Sequence, residues 1–524
     1  MGRITFNRGE GGLGRQQPGN DYITGLIFKQ ATLPSGFGAS DRIKKVSTLA
    51  EAEALGIIDT HADETKATGG QVEITAAGAA ADVWTVTITP TGQSTISLGT
   101  YTEATSDAVA DIASGLADAV NALTSSHGFT ASAALGVLSL VAPAKYGASL
   151  NTAGLTGTSS GAGTATVTQF TGGVGSLIAI NHYHISEFFA IAEKITGLAQ
   201  GILYIGIYAD YDGTQIGLMQ DFANGNIRQM GVFLSDTFAS SQVTASQTGA
   251  TSAEADNRPL SVLLASDFSA TTLSALADLR TLNSKNVSVV ISEDGDGEGG
   301  RLAGVEGFSI TSLGATLGAI AQAAVHENIG WRQKFDMVHS RSRSVIVQTS
   351  PFNELEVLNF ATGEAYKVQS RATIDALTED GYIFMVKEEG ISGSFNNDDA
   401  TCITITSDYA YVAANRTIDK AVRLVTQNLT NKINGPVYTD PETGKISEAS
   451  IEDYKNDAFK ALENMATAAE ISTNIDGQLP ANSVIIDPDQ NVQATSTIEL
   501  TIQIVPVAVG RNIVVNIGFA VSIQ

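Results

Sequence analysis

Histidines and the single cysteine are the residues whose chemistry could matter most. His182 and His184 stand two residues apart with Glu187 nearby, so on one face of a strand they could bind a zinc ion. No third ligand can be named, and ordinary polar packing is the favoured interpretation. Cys402 lies in the alternating segment TCITI, which predicts a buried, inert thiol in a strand. One cysteine cannot form an intramolecular disulfide or a cysteine-rich zinc site, so no metal and no nucleophile is predicted.

Two glycine patterns match the dinucleotide-binding fingerprint G-x-G-x-x-G. The first, at residues 9–14, is followed by RQQPGNDY, where no helix begins to hold a pyrophosphate. The second, at residues 295–300, follows a strand, but the acidic side chains of its loop would repel a phosphate: Glu293, Asp294, Asp296 and Glu298. The same loop imitates a calcium site, yet Val305 stands where the bidentate glutamate belongs. We interpret it as a solvated acidic turn and predict no cofactor.

A third motif is a chance match. Residues 157–161, GTSSG, fit the G-x-S-x-G nucleophile elbow, but no strong strand precedes them and no helix follows. The sequence therefore assigns no catalytic residue, and we predict that the protein is not an enzyme.

Apolar periodicity indicates the elements that would position these residues. Residues 31–65 begin a core domain, and residues 176–350 alternate helices with apolar strands typical of a mostly parallel α/β sheet. Four strands are predicted there, at residues 201–208, 260–265, 287–291 and 345–348. Two helices are predicted between and after them, one on Leu273, Leu276, Leu279 and Leu282, the other on Leu313, Leu317, Ile320 and Ala324.

Residues 66–175 differ in composition from the rest of the chain. Ala, Gly, Thr, Ser and Val dominate, and Lys66 and Lys145 are the only positive charges. Alternating strands at residues 83–89 and 137–141 flank a helical pattern from Ala108 to Leu123. We predict a small α+β domain inserted into the larger one.

Residues 351–510 predict a second α+β domain. One amphipathic helix follows Ile418, Ala421, Val425, Leu429 and Ile433. Another runs from Ile451 to Met465, with Ser450 and Asp453 as its capping box.

Both ends of the chain lack the means to build a core of their own. Residues 1–30 are glycine-rich and locally basic, which predicts an extended arm. Residues 511–524 alternate apolar and small or polar side chains, and the apolar set is Ile513, Val515, Ile517, Phe519, Val521 and Ile523. A long apolar edge strand aggregates unless a partner covers it, so we predict strand donation between subunits.

Composition excludes several classes of partner. The chain of 524 residues has 30 Lys+Arg and 55 Asp+Glu, a formal net charge of −25. Nucleic acid and anionic membrane surfaces would be repelled. Neither a secretory signal nor a membrane-spanning run is found, so we expect a soluble protein made in a cytoplasm.

Three segments resemble the sheath proteins of contractile phage tails and related contractile injection systems. The first is VISEDGDGEGG with SLGATLGAIAQAAVHENIGW, similar to the sheath core. The second is RTIDKAVRLVTQNLTNKINGPVYTDPETGKIS with the helix after it, similar to the C-terminal sheath domain. The third is TSTIELTIQIVPVAVGRNIVVNIGF, similar to the closing strands. The inserted domain resembles the decoration domains that sheath proteins carry on their outer surface.

The resemblance implies a mechanical role. Sheath subunits stack as hexameric rings around an inner tail tube, between baseplate and terminator proteins, and contract to drive the tube through a target envelope. It implies that residues of the N-terminal arm, Arg3, Ile4 and Phe6, and the C-terminal strand pair with neighbouring subunits. A helix of the C-terminal domain would touch the tube, with Lys455 and Lys460 as contact candidates. The protein would be assembled in the bacterial cytoplasm and reside in a virion tail or injection particle.

Two alternatives remain open. An α/β enzyme with an inserted domain would place a small-molecule site at the carboxyl ends of the sheet strands, near Glu293 and Asp294. Another self-assembling virion or surface-layer protein would use both arms without an inner tube.

Overall fold

The computed structural model describes residues 20–59, 66–90, 95–143, 150–152, 154–173, 177–306, 308–340, 352–511 and 513. The chain forms two compact units. The first comprises the residues up to Ala323 and Ile329–Val412, and the second comprises Ala324–Asn328 and the residues from Ala413 onward. The predicted mixture of α/β and α+β structure in a multidomain chain is confirmed.

The strands, numbered along the chain, are β1 (Thr24–Lys29), β2 (Ile43–Val46), β3 (Gln71–Ala76), β4 (Val83–Ile88), β5 (Ile96–Thr102), β6 (Thr130–Ala134), β7 (Val137–Val141), β8 (Thr156–Ser159), β9 (Thr164–Thr168), β10 (Leu203–Tyr208), β11 (Gln229–Thr237), β12 (Ser261–Asp267), β13 (Val287–Val290), β14 (Ser292–Asp294), β15 (Leu358–Phe360), β16 (Tyr382–Ile383), β17 (Met385–Val386), β18 (Phe395–Asn396), β19 (Val484–Ile486) and β20 (Leu500–Ile502).

The helices are α1 (Leu49–Ala54), α2 (Val109–Ala122), α3 (Thr124–His127), α4 (Ile178–Thr196), α5 (Thr214–Phe222), α6 (Ser240–Ala255), α7 (Glu298–Glu306), α8 (Leu313–Gln322), α9 (Arg371–Glu379), α10 (Val412–Thr430), α11 (Glu448–Thr467) and α12 (Val492–Thr495).

A seven-stranded sheet organises the first unit, in the order β16-β13-β12-β11-β1-β10-β2. All of its pairings are parallel except that of β2 with β10. Strands β10 and β12 are buried along their whole length, because helices cover both faces of the sheet. Helices α4 and α8 pack with Leu26 and Phe28 on one face, and α5 and α6 pack with Ile27 on the other.

Glycine lets α8 approach α4 closely. A Cβ atom on Gly314 would lie 2.1 Å from the carbonyl oxygen of His184, which no real side chain could tolerate. Gly318, one turn later, would meet the carbonyl of Phe188 at 2.9 Å. The small residues of SLGATLGAIAQ therefore set the distance between the two helices.

Residues 66–173 have a hydrophobic core of their own. A four-stranded sheet, β6-β7-β3-β9, and a three-stranded sheet, β5-β4-β8, are antiparallel throughout. Helix α2 packs on them with Ile112, Leu116 and Val120, and Trp84 is fully buried. The strands and the helix predicted for this composition are confirmed.

The second unit is built from two long helices and a short sheet. Helices α10 and α11 supply Ala421, Ala458, Leu462 and Met465 to a small core, which β19 and β20 cover with residues such as Val484. The second predicted helix begins earlier than expected. Its N-cap is Ser447, whose hydroxyl accepts the N–H of Ser450, so the predicted capping box is wrong.

Two further element predictions are wrong. The leucines 273–282 form two 3₁₀ turns, because Leu276 is extended and the Asp278 carboxylate caps a new turn at Arg280. Cys402 is not in a strand, because the neighbouring carbonyls of Thr401 and Ile403 turn toward the Arg280 guanidinium. The strand predicted at residues 345–348 falls outside the described residues.

In the part of the chain that the structure describes, no helix combines the length and apolar character needed to cross a bilayer.

Candidate functional site

A cluster of buried carboxyl groups lies at β14, which directly follows the main-sheet strand β13 and pairs with β15. Glu293 and Asp294 are 6 % and 0 % exposed, and Glu298, at the start of α7, is 5 % exposed. Glu354, from a neighbouring loop, is fully buried. The loop is therefore not a solvated acidic turn, and that interpretation is wrong except at Asp296, which is exposed. The apolar residues on either side of this loop and the pairing of β14 with β15 keep these side chains buried.

Asp294 is held in place by main-chain donors. Its Oδ1 accepts the N–H groups of Asp296 at 3.2 Å and Gly297 at 2.8 Å, and its Oδ2 accepts that of Leu355 at 2.7 Å. Three such bonds stabilise a carboxylate without a cation. The glycines of the loop have a structural role, because a Cβ on Gly297 would lie 2.0 Å from Asp294 Oδ2 and 2.2 Å from Glu354 Oε2.

Burial raises the pKa values of the neighbouring acids. The pKa of Glu293 rises to about 8, first because of burial and then because of the charges of Asp294 and Asp267. The pKa of Glu354 is also raised, by burial and by its hydrogen bond with Asp294. These two groups therefore carry protons at neutral pH, which lowers the charge that the interior must hold.

Helix α4 closes the cluster with Glu187, which the sequence suggests only as a neighbour of His182 and His184, and with Tyr183, which sequence reasoning missed. Glu187 is fully buried, and His339 Nε2 lies 2.9 Å from its Oε2. Burial alone would lower the pKa of His339, but the Glu187 carboxylate and its hydrogen bond raise it above the ordinary value. The Tyr183 ring lies one turn before Glu187, and burial followed by the surrounding carboxylates raises the pKa of its hydroxyl. The sequence signal for this part of the cluster is a carboxylate, Glu187, within the apolar run HYHISEFFAIA.

The cluster has the architecture of a structural polar network. Within the described residues, no three His, Cys, Asp or Glu side chains are arranged to hold a metal ion. Glu293 and Asp294 offer almost no surface to a substrate. The hydrogen bonds of the cluster join β14 to α7 and to residues 354–355. The role of the cluster in the described structure is therefore to fix the relative positions of these three segments.

His182 and His184 lie on α4, where residues two apart point to different sides, so they are not the pair that one face of a strand would offer to a zinc ion. His182 Nε2 is 3.1 Å from Glu53 Oε1. His184 is fully buried against aromatic rings, with its centroid 4.7 Å from that of Phe233, and burial lowers its pKa to about 3. The 3.6-residue period of this segment, which is apolar on nearly all sides, explains the helix.

The remaining sequence motifs do not form a site among the described residues. Ser159 ends β8, and the next element is β9, a strand of the other sheet, in place of a helix. Cys402 is fully buried, as predicted, and burial raises its pKa to about 12. The glycine pattern at residues 9–14 lies outside the described residues.

The small sheet of the second unit has an open edge. Gln503 donates its N–H to the carbonyl of Ser483, and Thr501 pairs with Ile485. This register turns the main-chain groups of Leu500 and Ile502 to the opposite edge, where no described residue bonds to them. A sheet of two three-residue strands is short of the size needed for independent stability. Among the described residues, the outer edge of β20 is therefore unpaired.

Residues of the predicted arms lie mostly outside the described residues. This holds for Arg3, Ile4 and Phe6 and for five of the six donated-strand residues, Val515, Ile517, Phe519, Val521 and Ile523. Ile513 is described and is 86 % exposed.

The candidate tube contacts lie on α11. Lys455 is half-buried with its Nζ 4.0 Å from Glu452 Oε1, and Lys460 is exposed. The helix carries five acidic residues against these two lysines. The helix is therefore acidic overall.

Comparisons with known proteins place the chain in a family. The profile of the DUF2586 N-terminal domain matches residues 1–400, and that of the DUF2586 C-terminal domain matches residues 408–524. No curated protein matches the chain.

Three solved structures are similar to the chain, each at 11 % identity. A cryo-EM structure of the anti-feeding prophage baseplate covers 61 % of this chain and 76 % of its own, with a TM-score of 0.39. The anti-feeding prophage helical sheath in the contracted state covers 67 % and 84 %, with a TM-score of 0.42. A sheath tail protein from Desulfitobacterium hafniense covers 96 % and 100 %, with a TM-score of 0.37. On the two profile matches, which span nearly all of its length, the chain belongs to the DUF2586 family.

Proposed function

We propose that this protein is the structural subunit of a contractile tail sheath, and that it polymerises around an inner tube. The observation that carries the proposal is the open outer edge of β20, followed in sequence by the alternating residues 513–523. An edge strand with unbonded main-chain groups accepts a further strand, and a neighbouring copy would supply one. The order of sheath-like segments along the chain supports the same role.

Contraction would follow from the same joint. Main-chain bonds between a donated strand and β20 survive a rigid-body rotation of the subunits, because they depend on the two strands alone. Two packings of the polymer with different interface energies would then suffice for the stroke, and no catalytic site is required. The burial of Glu293 and Asp294 favours this role over the enzyme alternative.

The remaining parts have proposed roles in the particle. Residues 66–175 would form a decoration domain, inserted between residues 31–65 and 176–350 of the core, with residues 351–510 as the C-terminal sheath domain. Lys455 and Lys460 would contact the inner tail tube, and the ends of the polymer would meet baseplate and terminator proteins. The particle would be a phage tail or an injection machine.

Electron microscopy of the purified chain tests strand donation. We expect striated hollow tubes from the full chain and dispersed particles after deletion of residues 512–524. A matched pair refines the test. Ile517→Asp places a charge on the apolar face of the predicted strand and should abolish tubes, whereas Asn516→Asp places one on the opposite face and should not. Tubes that persist in both the deletion and Ile517→Asp would overturn strand donation. Dispersed particles from the full chain would favour the enzyme alternative or a sheath that needs its tube.

A charge reversal tests the tube contact. Lys455→Glu with Lys460→Glu should abolish co-sedimentation with the inner tube protein while sheath assembly continues. Lys445→Glu, in the same unit but outside α11, is the control. Unchanged tube binding by the double variant would remove α11 from the contact.

A further inference from the structure

An exposed apolar and cationic surface lies at one edge of the main sheet. We call it the α5 patch and define it by the exposed residues Lys45, Leu218 and Phe222 and by Tyr204, which Lys45 and Phe222 contact and which is 9 % exposed. Leu218 and Phe222 are 50 % and 49 % exposed and lie four residues apart, so they share the outer face of α5. Half-exposed pairs of large apolar side chains are typical of contact surfaces when a cation borders them.

The members of the α5 patch touch one another. The Phe222 ring meets that of Tyr204 edge-on, with 6.1 Å between centroids. Lys45 extends from the edge strand β2, and its Nζ lies 6.0 Å from the same Tyr204 ring. No carboxylate of the described residues lies within 4 Å of Lys45, in contrast to Lys44, which pairs with Asp41. The patch is therefore one continuous surface with an uncompensated positive charge.

Gly217 leaves open space beside Leu218. A Cβ atom placed on this glycine would meet nothing within 4 Å. A protruding aliphatic side chain of a partner would fit there without displacing any atom of α5.

The second unit presents a complementary feature, a rigid turn at residues 474–478. The Asn474 Oδ1 accepts the N–H groups of Asp476 at 3.0 Å and Gln478 at 2.8 Å, and Gly477 adopts a φ of +72°. Ile475 at its tip is completely exposed, and the carboxylate beside it, Asp476, is exposed as well. A tip fixed by its own hydrogen bonds loses little entropy on docking.

We propose that the 474–478 turn of one copy docks on the α5 patch of a second copy. Ile475 would cover Gly217 and Leu218, and Asp476 would face Lys45. Charge complementarity selects this occupant. The net charge of −25 makes copies repel one another wherever acidic surfaces meet, so a contact that sets the Asp476 carboxylate against Lys45 is favoured over one that brings two acidic surfaces together. This contact deepens the proposed assembly and rests on it.

Disulfide trapping tests the contact directly. Because Cys402 is buried, cysteines introduced at the surface would react selectively. The full chain carrying Leu218→Cys and Ile475→Cys should form disulfide-linked oligomers under mild oxidation, whereas Leu123→Cys with Ile475→Cys should not. Leu123 is a matched control because it is 42 % exposed and lies outside the patch.

A charge swap supplies the second measurement, made by sedimentation velocity over a range of concentrations. Lys45→Glu should weaken association by about tenfold or more, since it sets two carboxylates against each other. Adding Asp476→Lys should restore association, whereas adding Glu442→Lys, an exposed acid of the same unit, should not. Failure of the swap to restore association would overturn the pairing of these two charges.

The two proposals fail separately. Oligomers trapped through 218 and 475 even after removal of residues 512–524 would support the α5 contact without strand donation. Tubes that form normally and never yield the disulfide would overturn the α5 contact and leave the sheath role standing. A chain that stays monomeric at every concentration and never cross-links would overturn both.

Discussion

The side chain of Gln490 pairs with the main chain of Glu499 as a strand residue would. Its Nε2 donates to the carbonyl of Glu499 at 2.8 Å, and its Oε1 accepts the Glu499 N–H at 2.7 Å. Glu499 directly precedes β20, so the carboxamide continues the pairing of β19 and β20 by one residue. In the first unit, the Asn121 side chain likewise bonds to both main-chain groups of Ala131, a residue of the edge strand β6. A side chain that bonds to these main-chain groups prevents another strand from pairing with them.

Replacement of this glutamine should loosen the small sheet. We expect Gln490→Ala to lower the stability of the second unit by about 1–2 kcal/mol, because two hydrogen bonds are lost and both Glu499 groups become open to water. Amide hydrogen exchange at Glu499 should accelerate by about tenfold or more. Gln493→Ala, whose side chain makes only a 3.4 Å contact with Thr439, should change neither quantity. Equal exchange rates in the two variants would contradict this account of the clamp.

Two glycine-to-alanine substitutions should act in opposite directions. Gly314→Ala would drive a methyl group into the carbonyl of His184 and should cost about 1–3 kcal/mol of unfolding free energy. Gly217→Ala adds a methyl group where nothing lies within 4 Å, and its better helix propensity should raise stability by up to about 1 kcal/mol. Urea denaturation of both variants measures the difference. A neutral Gly314→Ala would mean that α4 and α8 can move apart freely.

The buried acids predict a loss of stability at alkaline pH. The pKa of Glu293 is about 8 in the folded protein against an ordinary 4.5, so the folded state holds a proton that the unfolded state has released. The free energy of unfolding therefore falls as the pH rises from about 4.5 through 8. The raised pKa values of Glu354 and His339 act in the same direction.

Denaturation at pH 6 and pH 9 measures this effect. Glu293→Gln cannot ionise, so its loss of stability between the two values should be smaller than that of the parent by on the order of 1–3 kcal/mol. Asp296→Asn removes an exposed charge from the same loop and should leave the parental slope unchanged. A steeper slope for Glu293→Gln than for the parent would be incompatible with a protonated Glu293.

Arg280 should control access to Cys402. The guanidinium is 9 % exposed, and its Nη1 lies 3.1 Å from the carbonyls of both Thr401 and Ala410. Arg280→Met would leave these acceptors buried without a donor, at a cost of about 2–4 kcal/mol. Labelling of Cys402 by a thiol reagent at pH 8, negligible in the parent because burial raises its pKa, should then accelerate at least tenfold. Arg371→Met makes the same replacement at an exposed position and should not affect labelling.

Sequence pattern predicted several elements that have one or both faces apolar. Strands β10, β12 and β13 of the main sheet, α2 and α8 follow from periodicity, because burial decides both the residues and the structure. The pattern missed β11, a strand of the same sheet whose first six residues are buried. It failed where a single polar side chain redirects the main chain. Asp278 begins a new turn within the leucine repeat, and Arg280 draws in the carbonyls around Cys402. The burial of the acidic loop could not be predicted either, since its partners Glu187 and Glu354 come from distant parts of the sequence.

The position of β1 in the middle of the main sheet has a consequence for how the chain folds during synthesis. Residues 24–29 pair with β10 and β11, so the sheet cannot close until about 170 further residues, from Lys29 to Leu203, have left the ribosome. Residues 66–173, with a core of their own, can fold within that interval. A compact segment shortens the flexible chain that must be closed and lowers the entropic barrier to pairing β1 with β10. An element that contributes nothing to the main sheet could thus determine how fast that sheet forms.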